Sequence, residues 1–297
     1  MKLDPHDPGA DAIVAAAPGD ARNFLRRFAS TLVLAPTAIA VTYIGGWLFL
    51  GLCTLAAAII LWEWTSVVFR GADPRIFVPG VAALLVAMAL TREARPDAAI
   101  AILAIGAALA GVLVVAWPRR SLGSNQAGWA AGGVVYAGVT LLAPALLRAD
   151  PQWGFVALIF LFAIVWATDI FAYLVGRLIG GPLLWPAVSP KKTWSGAVGG
   201  LVGGVAAGTA VAYASVGMPP AVAVALASVL SIVAQGGDLF ESAVKRRFGA
   251  KDASGLIPGH GGLMDRLDGF LVTALVAVLI GSLHQGMATP AHGLLIW

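Results

Sequence analysis

Charged side chains are scarce in this chain of 297 residues. Only 11% of the residues are Asp, Glu, Lys or Arg, and 59% are hydrophobic, whereas about 25% of the residues of an average soluble protein are charged. So few charges cannot cover the surface of a soluble protein of this length. The composition therefore predicts an integral membrane protein.

Cysteine and histidine are also rare. The single Cys53 lies in an apolar segment, which excludes an internal disulfide and a cysteine metal site. The four histidines are scattered and no H-E-x-x-H motif occurs, so we expect no zinc site. The chain also lacks repeats, a soluble domain and low-complexity linkers, which indicates a single folded domain.

Nine apolar stretches are long enough to cross a hydrocarbon core of about 30 Å. Gly45-Gly46 alone separates the first two, so one long broken helix is an alternative there. The predicted fold is all-α and polytopic, with one transmembrane catalytic domain, residues 22–297, after a mobile cytoplasmic tail, residues 1–21. The nine stretches are residues 28–45, 46–69, 75–91, 98–117, 127–148, 153–179, 194–215, 219–247 and 266–284.

Basic residues are distributed very unevenly over the two ends of these stretches. With a cytoplasmic N-terminus, only Arg92, Arg95 and Arg148 of the 19 Lys and Arg residues fall on the outer side. Because Lys and Arg accumulate on the cytoplasmic side of membrane proteins, we expect the N-terminus inside and the C-terminus outside. A cleaved signal peptide is an alternative for the first stretch, but the acidic leader favours an uncleaved helix.

The few charges concentrate between Gln235 and Phe270, around a turn at Pro258–Gly262. Carboxylates suit a hard divalent cation, basic side chains suit phosphate, and glycines let backbone N–H groups approach an anion. The stretch therefore predicts metal-assisted phosphoryl or nucleotidyl transfer, and a cytoplasmic loop of solvated charges is the alternative. Its carboxylates are Asp238, Asp265 and Asp268, interleaved with Lys245, Arg246, Arg247, Lys251 and Arg266.

A helix is predicted to run through Asp238, because an apolar run precedes it. One face of that helix then carries Asp238, Glu241, Ser242 and Lys245. Glycines end the helix after Lys251-Asp252, and Asp265 and Asp268 open the next one. Acidic residues inside a membrane are costly and usually functional, which favours an active site over a solvated loop.

Two acidic residues elsewhere have open roles. Asp169 shares one helix face with Tyr173 and Arg177, and either a direct role in the site or pairing with a buried base or hydroxyl is consistent with it. Glu63, between Trp62 and Trp64, is interpreted as structural.

A basic turn, Ser189-Pro190-Lys191-Lys192-Thr193, precedes the seventh stretch. Its two ammonium groups can meet a triphosphate, and Thr193 can bind phosphate or cap the next helix. A basic loop that only sets the topology is the alternative. Further on, Gly196, Gly200, Gly204 and Gly208 form a ridge for close helix packing, within one chain or between the copies of a homodimer.

The motifs of residues 242–268 resemble the signature of phosphatidate cytidylyltransferases. The resemblance covers Ser242-x-x-Lys245-Arg246, Lys251-Asp252, Pro258-Gly259-His260-Gly261-Gly262 and Asp265-Arg266-Leu267-Asp268. It implies an integral membrane enzyme, in a bacterial inner membrane with its site facing the cytoplasm, that joins CTP to phosphatidic acid and requires Mg²⁺. The family also has a Ser-Pro-Lys-Lys-Thr-like element, usually with a glutamate where this chain has Ser195.

The expected site follows from the motifs and the resemblance together. We expect Asp238, Asp265 and Asp268 to hold Mg²⁺, with a second cation left open, and Lys245 and His260 to act beside them. The expected partners are CTP, phosphatidic acid and the lipid bilayer, with no nucleic acid. A CTP-dependent lipid kinase and a polytopic transporter are the rival functions. The expected substrate-binding residues are Ser189, Lys191, Lys192, Thr193, Ser242, Arg246, Lys251, Asp252, Gly261, Gly262 and Arg266.

Overall fold

The described residues form ten helices and one β-hairpin. This computed structural model describes residues 33–117, 125–257 and 261–297. The helices are α1 (Val33–Ile44), α2 (Gly46–Phe69), α3 (Pro74–Arg92), α4 (Pro96–Ala116), α5 (Gln126–Arg148), α6 (Gly154–Ile179), α7 (Trp194–Val216), α8 (Pro220–Arg247), α9 (Met264–Gln285) and α10 (Pro290–Leu295). The strands are β1 (Leu183–Trp185) and β2 (Ser189–Thr193).

The all-α membrane fold is confirmed. Eight helices of the described residues, α2 to α9, are long and apolar enough to cross a membrane, and their ends lie within about two residues of the predicted ones. Of the first predicted stretch, the described part is the shorter α1. The predicted tail, residues 1–21, lies outside the described residues.

Two separate helices, rather than one long broken helix, occupy the region around Gly45-Gly46. Gly45 has a φ of 68°, which residues with a side chain rarely adopt, and α2 begins at Gly46. Arg148 at the end of α5 fills the bend, since its Nε donates to the carbonyl of Thr42 at 2.6 Å and its Nη2 to that of Tyr43 at 3.0 Å. These bonds satisfy carbonyls that the end of α1 leaves open.

The basic turn at residues 189–193 is a strand, which the all-α prediction did not include. It pairs antiparallel with β1, with Leu183 opposite Thr193 and Trp185 opposite Ser189. Thr193 ends the strand and caps α7, because its side-chain oxygen accepts from the backbone N–H of Gly196 at 3.1 Å. The hairpin thus connects α6 rigidly to α7.

Successive long helices run in opposite directions, so their ends form two faces. On one face Arg75, at the start of α3, donates to the carbonyl of Trp117 at the end of α4. On the other, Arg92 at the end of α3 lies over the ring of Trp47 at the start of α2. The first face also carries the end of α8 and the start of α9, and we call it the α8–α9 face.

The glycine ridge of α7 packs against α6 within the chain, as one of its two interpretations predicted. A Cβ atom on Gly196 would lie 2.7 Å from the carbonyl oxygen of Ala172, and one on Gly200 would lie 2.8 Å from that of Thr168. Backbone contacts this close leave no room for a side chain. The ridge therefore holds together the two helices that flank the hairpin.

Gly200→Ala should destabilise the protein by about 1–3 kcal/mol, the usual cost of overpacking a close contact. The matched control is Gly51→Ala in α2, where an added Cβ meets nothing within 4 Å and should be neutral or stabilise by up to about 1 kcal/mol. Thermal unfolding of both variants in detergent measures the difference. Equal melting temperatures would show that α6 and α7 can separate slightly at no cost.

Candidate active site

Helices α8 and α9 come into backbone contact at the centre of the charged stretch. A Cβ on Gly237 would lie 2.7 Å from the carbonyl oxygen of Asp268, and one on Gly269 would lie 2.9 Å from that of Ala234. Both glycines thus permit an approach that larger residues would block. The approach brings Asp238, the residue after Gly237, beside the first turn of α9, as the sequence predicts.

Lys245 joins the two helices by ion pairs. Its Nζ lies 2.5 Å from Oδ1 of Asp265 on α9 and 2.7 Å from Oε2 of Glu241, one turn back on α8. Glu241 and Lys245 are buried, and the angles at Glu241 are poor for a hydrogen bond. Glu241 and Lys245 therefore share one face of α8, as predicted, and Lys245 brings Glu241 close to Asp265.

Asp265 also fixes the loop before α9. Its Oδ2 accepts from the backbone N–H groups of Gly262 at 2.8 Å and Ala253 at 3.1 Å. Gly261 has a φ of 84°, and a Cβ there would lie 2.8 Å from the same oxygen. Ile257 and Gly261 pair in an isolated β-bridge, and the N–H groups of Ala253 and Gly262 hold the carboxylate between them.

Glu63 supports the loop from the other side. Its Oε1 accepts from the hydroxyl of Ser254 at 2.6 Å and from the N–H of Leu263 at 2.8 Å, and its Oε2 accepts from the N–H of Met264 at 2.6 Å. The Glu63 side chain is completely buried. A carboxylate on α2 thus satisfies the open N–H groups at the start of α9.

Gly262 lies between these two carboxylates. Its N–H donates to Asp265, and a Cβ on it would come within 2.5 Å of Oε1 of Glu63. A side chain at position 262 would collide with the Glu63 carboxylate, which explains why this turn has a glycine there. Glu63 has the structural role that its sequence context suggested, but its partners were not predicted.

The hairpin brings a base to the α8 carboxylate. Lys192 on β2 forms an ion pair with Asp238, and both side chains are about one third exposed. Lys191, the residue before Lys192, is exposed, and the pairing of the two strands is irregular at this point. Ser195 donates to the carbonyl of Gly180 and bonds the hydroxyl of Thr193 at 3.0 Å, which braces the hairpin against α6.

Asp169 lies beside the site rather than in a separate pair. Its electrostatic neighbours are Asp238, Lys192 and Arg266, and Asp268 interacts with both Asp169 and Asp238. Lys192 is thus an electrostatic neighbour of all three carboxylates. The position of Asp169 near Asp238 and Asp268 is consistent with a direct role for Asp169, one of the two interpretations of the sequence.

The donors suit a hard cation in kind, because all of them are carboxylate oxygens. Within the described ranges, no three His, Cys, Asp or Glu side chains stand close enough to hold a metal ion as they are placed. Asp238 instead pairs with Lys192 and Asp265 with Lys245. A metal at either carboxylate requires the ammonium group to move aside.

The remaining predicted residues surround this centre. Ser242 and Ser189 are half-buried, whereas Lys251, Asp252 and Arg266 are exposed on the α8–α9 face. Arg246 is exposed too, and its Nη1 donates to the carbonyl of Ala250 at 3.1 Å, which stabilises the end of α8. His260 lies outside the described residues.

Aromatic side chains pack behind the carboxylates. Trp64 donates from Nε1 to the carbonyl of Trp129 at 3.0 Å, and its ring packs on Tyr136, which in turn packs on Phe240 of α8. The hydroxyl of Tyr136 is buried, without a hydrogen-bond partner among the described residues. Apolar rings on one side of the site lower the local dielectric and strengthen the ion pairs.

The arrangement can bind a phosphate-rich ligand together with a cation. Ammonium groups stand next to carboxylates at two places, so an arriving phosphate can take the ammonium while a metal takes the carboxylate. The centre lies at the α8–α9 face, at the ends of apolar helices. A ligand that is part lipid and part phosphate matches both surroundings.

Comparisons with known proteins agree with the motifs. Residues 25–284 match the sequence model of the cytidylyltransferase family. A phosphatidate cytidylyltransferase of Brucella suis biovar 1 (strain 1330) is 42% identical over 275 residues, which cover 91% of this chain and 97% of the relative. One of Brucella abortus biovar 1 (strain 9-941) is 42% identical over 267 residues, 88% of this chain and 94% of the relative. One of Staphylococcus aureus (strain COL) is 38% identical over 125 residues, 41% of this chain and 48% of the relative.

Proposed function

Because the chain belongs to the cytidylyltransferase family, we propose that it is a phosphatidate cytidylyltransferase, which converts CTP and phosphatidic acid to CDP-diacylglycerol and pyrophosphate. The observation that carries the proposal is the pairing of Asp238 with Lys192 and of Asp265 with Lys245 at the end of apolar helices. Acids for a cation and bases for phosphate stand together where a membrane lipid can reach them.

The proposed setting is a bacterial inner membrane, with the α8–α9 face towards the cytoplasm. The unequal distribution of Lys and Arg supports this orientation. CTP is a cytoplasmic nucleotide, and phosphatidic acid reaches the same face by lateral diffusion in the bilayer. The N-terminus then lies inside and the C-terminus outside.

The main obstacle to the reaction is repulsion between two anions. The second pKa of a phosphate monoester is about 6, so phosphatidic acid is largely dianionic at neutral pH and is already a nucleophile. At about 4 Å, each pair of like unit charges costs about 4 kcal/mol at an effective dielectric constant near 20. The site must therefore supply positive charge rather than a strong base.

The chain's own cationic groups supply part of that charge. Lys192 and Lys245 stand at the carboxylates, and Lys251 and Arg266 lie exposed beside them. In the proposed step a phosphate oxygen of phosphatidic acid bonds to the α-phosphorus of CTP, and the bond to the β-phosphate breaks. Pyrophosphate leaves with the electron pair of that bond, and the bases stabilise the charge that shifts to it.

Mg²⁺ is the proposed cofactor, and Asp238 and Asp265, with Asp268, would hold it. When bound, it would screen the phosphates and stabilise the in-line transition state. The ammonium groups of Lys192 and Lys245 would then turn from the carboxylates to phosphate oxygens. Asp169 lies close enough to adjust the charge of this centre.

Radiolabelled CTP tests the proposal against its rivals. With purified protein, phosphatidic acid and Mg²⁺, label at the α-phosphate should appear in lipid and label at the γ-phosphate in pyrophosphate. A CTP-dependent lipid kinase would place the γ-label in lipid, and a transporter would place neither label there. Either of those results would reject the cytidylyltransferase.

Lys192→Ala should reduce kcat/KM for CTP about 10- to 100-fold, the usual effect of losing a hydrogen bond between charged groups. Lys191→Ala is the adjacent control, because Lys191 is exposed whereas Lys192 forms the ion pair with Asp238. It should change the half-saturating concentration of phosphatidic acid and leave KM for CTP within about twofold. Initial rates at varied concentrations of CTP and of lipid distinguish the two variants. If both variants change KM for CTP equally, Lys192 and Lys191 do not have the different roles proposed.

A further inference from the structure

The hairpin carries an exposed apolar surface next to exposed bases. Leu178 at the end of α6 is 83% exposed and Trp185 on β1 is 50% exposed. Large apolar side chains are costly to leave in water, so a cluster of them marks a contact surface. The surface, which we call the hairpin platform, consists of Arg177, Leu178, Ile179, Leu183, Trp185, Lys191 and Trp194.

The length of α6 sets the depth of the platform. At about 1.5 Å per residue, its 26 residues extend about 39 Å. The hydrocarbon core is about 30 Å thick and the bilayer with headgroups about 40–45 Å. A helix that starts at one headgroup layer therefore ends in the other, which places Leu178 and Ile179 at the lipid interface rather than in open solvent.

The chemistry of the platform matches that layer. Tryptophan and tyrosine favour the membrane interface, where one part of the ring meets acyl chains and the other meets water. Tyr173, one turn before Arg177, is exposed, and its hydroxyl accepts from Nη1 of Arg177 at 2.7 Å. Arg177 and Lys191 add positive charge at the level of the lipid phosphates.

We propose that the hairpin platform lies in the lipid headgroup layer and binds anionic phospholipid headgroups through Arg177 and Lys191. Apolar side chains of β1 then enter the acyl boundary. Lys192 of the same strand pairs with Asp238, so β2 connects the lipid surface with the carboxylate centre. This placement is independent of the transfer reaction, since it concerns only the membrane contact.

A fluorescent label at the hairpin tests the placement. The full chain carries Cys53→Ala, which removes its single buried cysteine, and Trp185→Cys labelled with bimane, with Leu183→Cys as a second position. It is reconstituted in vesicles of phosphatidylcholine and phosphatidylglycerol. We expect a nitroxide high on the acyl chain to quench at least about twofold more than one at the chain end, because the interface lies far from the bilayer centre.

The control label is Ala72→Cys, at an exposed residue in the loop between α2 and α3 on the same face. Iodide should quench it strongly and nitroxide lipids weakly. If iodide quenches the hairpin labels as strongly and nitroxide lipids do not, the hairpin lies in water and the proposal fails. If the labels are shielded from both quenchers, protein covers the platform, as a second copy of the chain would, and the proposal also fails.

The preference for anionic lipid is measured by comparing nitroxide-labelled phosphatidylglycerol with nitroxide-labelled phosphatidylcholine. A basic side chain near the surface enriches anionic lipid about fivefold, so phosphatidylglycerol should quench the hairpin label more. Arg177→Gln should reduce that excess. Equal quenching by the two lipids in the parent protein would overturn the assignment of Arg177 and Lys191 to headgroups.

Discussion

Asp238→Asn should lower the rate of CMP transfer to lipid about 10³-fold while the melting temperature stays nearly unchanged. A neutral amide is a poor ligand for Mg²⁺, and losing metal stabilisation worth about 4 kcal/mol corresponds to about three powers of ten in rate. The fold should tolerate the change, because the Asp238 side chain is about one third exposed and pairs with a lysine that water can solvate instead. Initial rates with α-labelled CTP and thermal unfolding in detergent measure the two quantities.

Asp97→Asn is the matched control, since Asp97 is an exposed aspartate in the first turn of α4, on the opposite face. It should leave the rate and the melting temperature unchanged. A rate for Asp238→Asn within tenfold of the parent protein would remove Asp238 from the reaction. A parallel loss of rate and melting temperature would give it a structural role.

Asp265→Asn should combine both effects. Asp265 pairs with Lys245 and accepts from two backbone N–H groups of the loop, so an amide would leave a buried ammonium with one carboxylate fewer. Comparison of Asp238→Asn with Asp265→Asn therefore distinguishes the effect of a lost carboxylate on the reaction from its effect on folding.

Glu63→Ala should destabilise the protein by about 4–9 kcal/mol and abolish activity with it. The substitution removes the acceptor of three hydrogen bonds, each worth about 1.5–3 kcal/mol to a charged group, and these bonds hold the loop before α9. Thermal unfolding measures the loss of stability, and the rate of CMP transfer measures the loss of activity.

Two control variants test whether the lost hydrogen bonds of Glu63 cause the loss of stability. Glu63→Gln keeps one acceptor oxygen, which can still receive Ser254 and Leu263, and should recover part of both properties. Glu93→Ala removes an exposed glutamate on the opposite face and should shift stability by less than about 0.5 kcal/mol. A Glu63→Ala protein as stable as Glu93→Ala would show that α9 does not depend on this carboxylate.

The sequence predicts the helices because the membrane imposes one rule on all of them. Each must be apolar for about 20 residues, and α2 to α9 follow that rule closely. The β-hairpin does not, because Ser189 to Thr193 lacks the alternation of apolar and polar residues that indicates a strand. The pairing of β1 with β2 depends on the positions of α6 and α7, which hold the two ends of the hairpin. No local sequence pattern predicts those positions.

The site is predictable where its residues are close in sequence. Glu241 and Lys245 are four residues apart, so their pairing follows from the helix period. Two of the three partners of Glu63 are backbone N–H groups, which any sequence supplies, and the third, the hydroxyl of Ser254, lies 191 residues away. The pairing of Lys192 with Asp238 spans 46 residues and depends on where the hairpin meets α8.

The bonds of Glu63 also constrain how the protein is made. Ser254 follows Glu63 by 191 residues and Met264 follows it by 201. At a translation rate of about 5–20 residues per second, the ribosome adds those residues in roughly 10–40 s. During that interval α2 must be inserted with a carboxylate whose eventual partners have not been synthesised. The one acidic side chain of α2 therefore enters the membrane before the contacts that stabilise it exist.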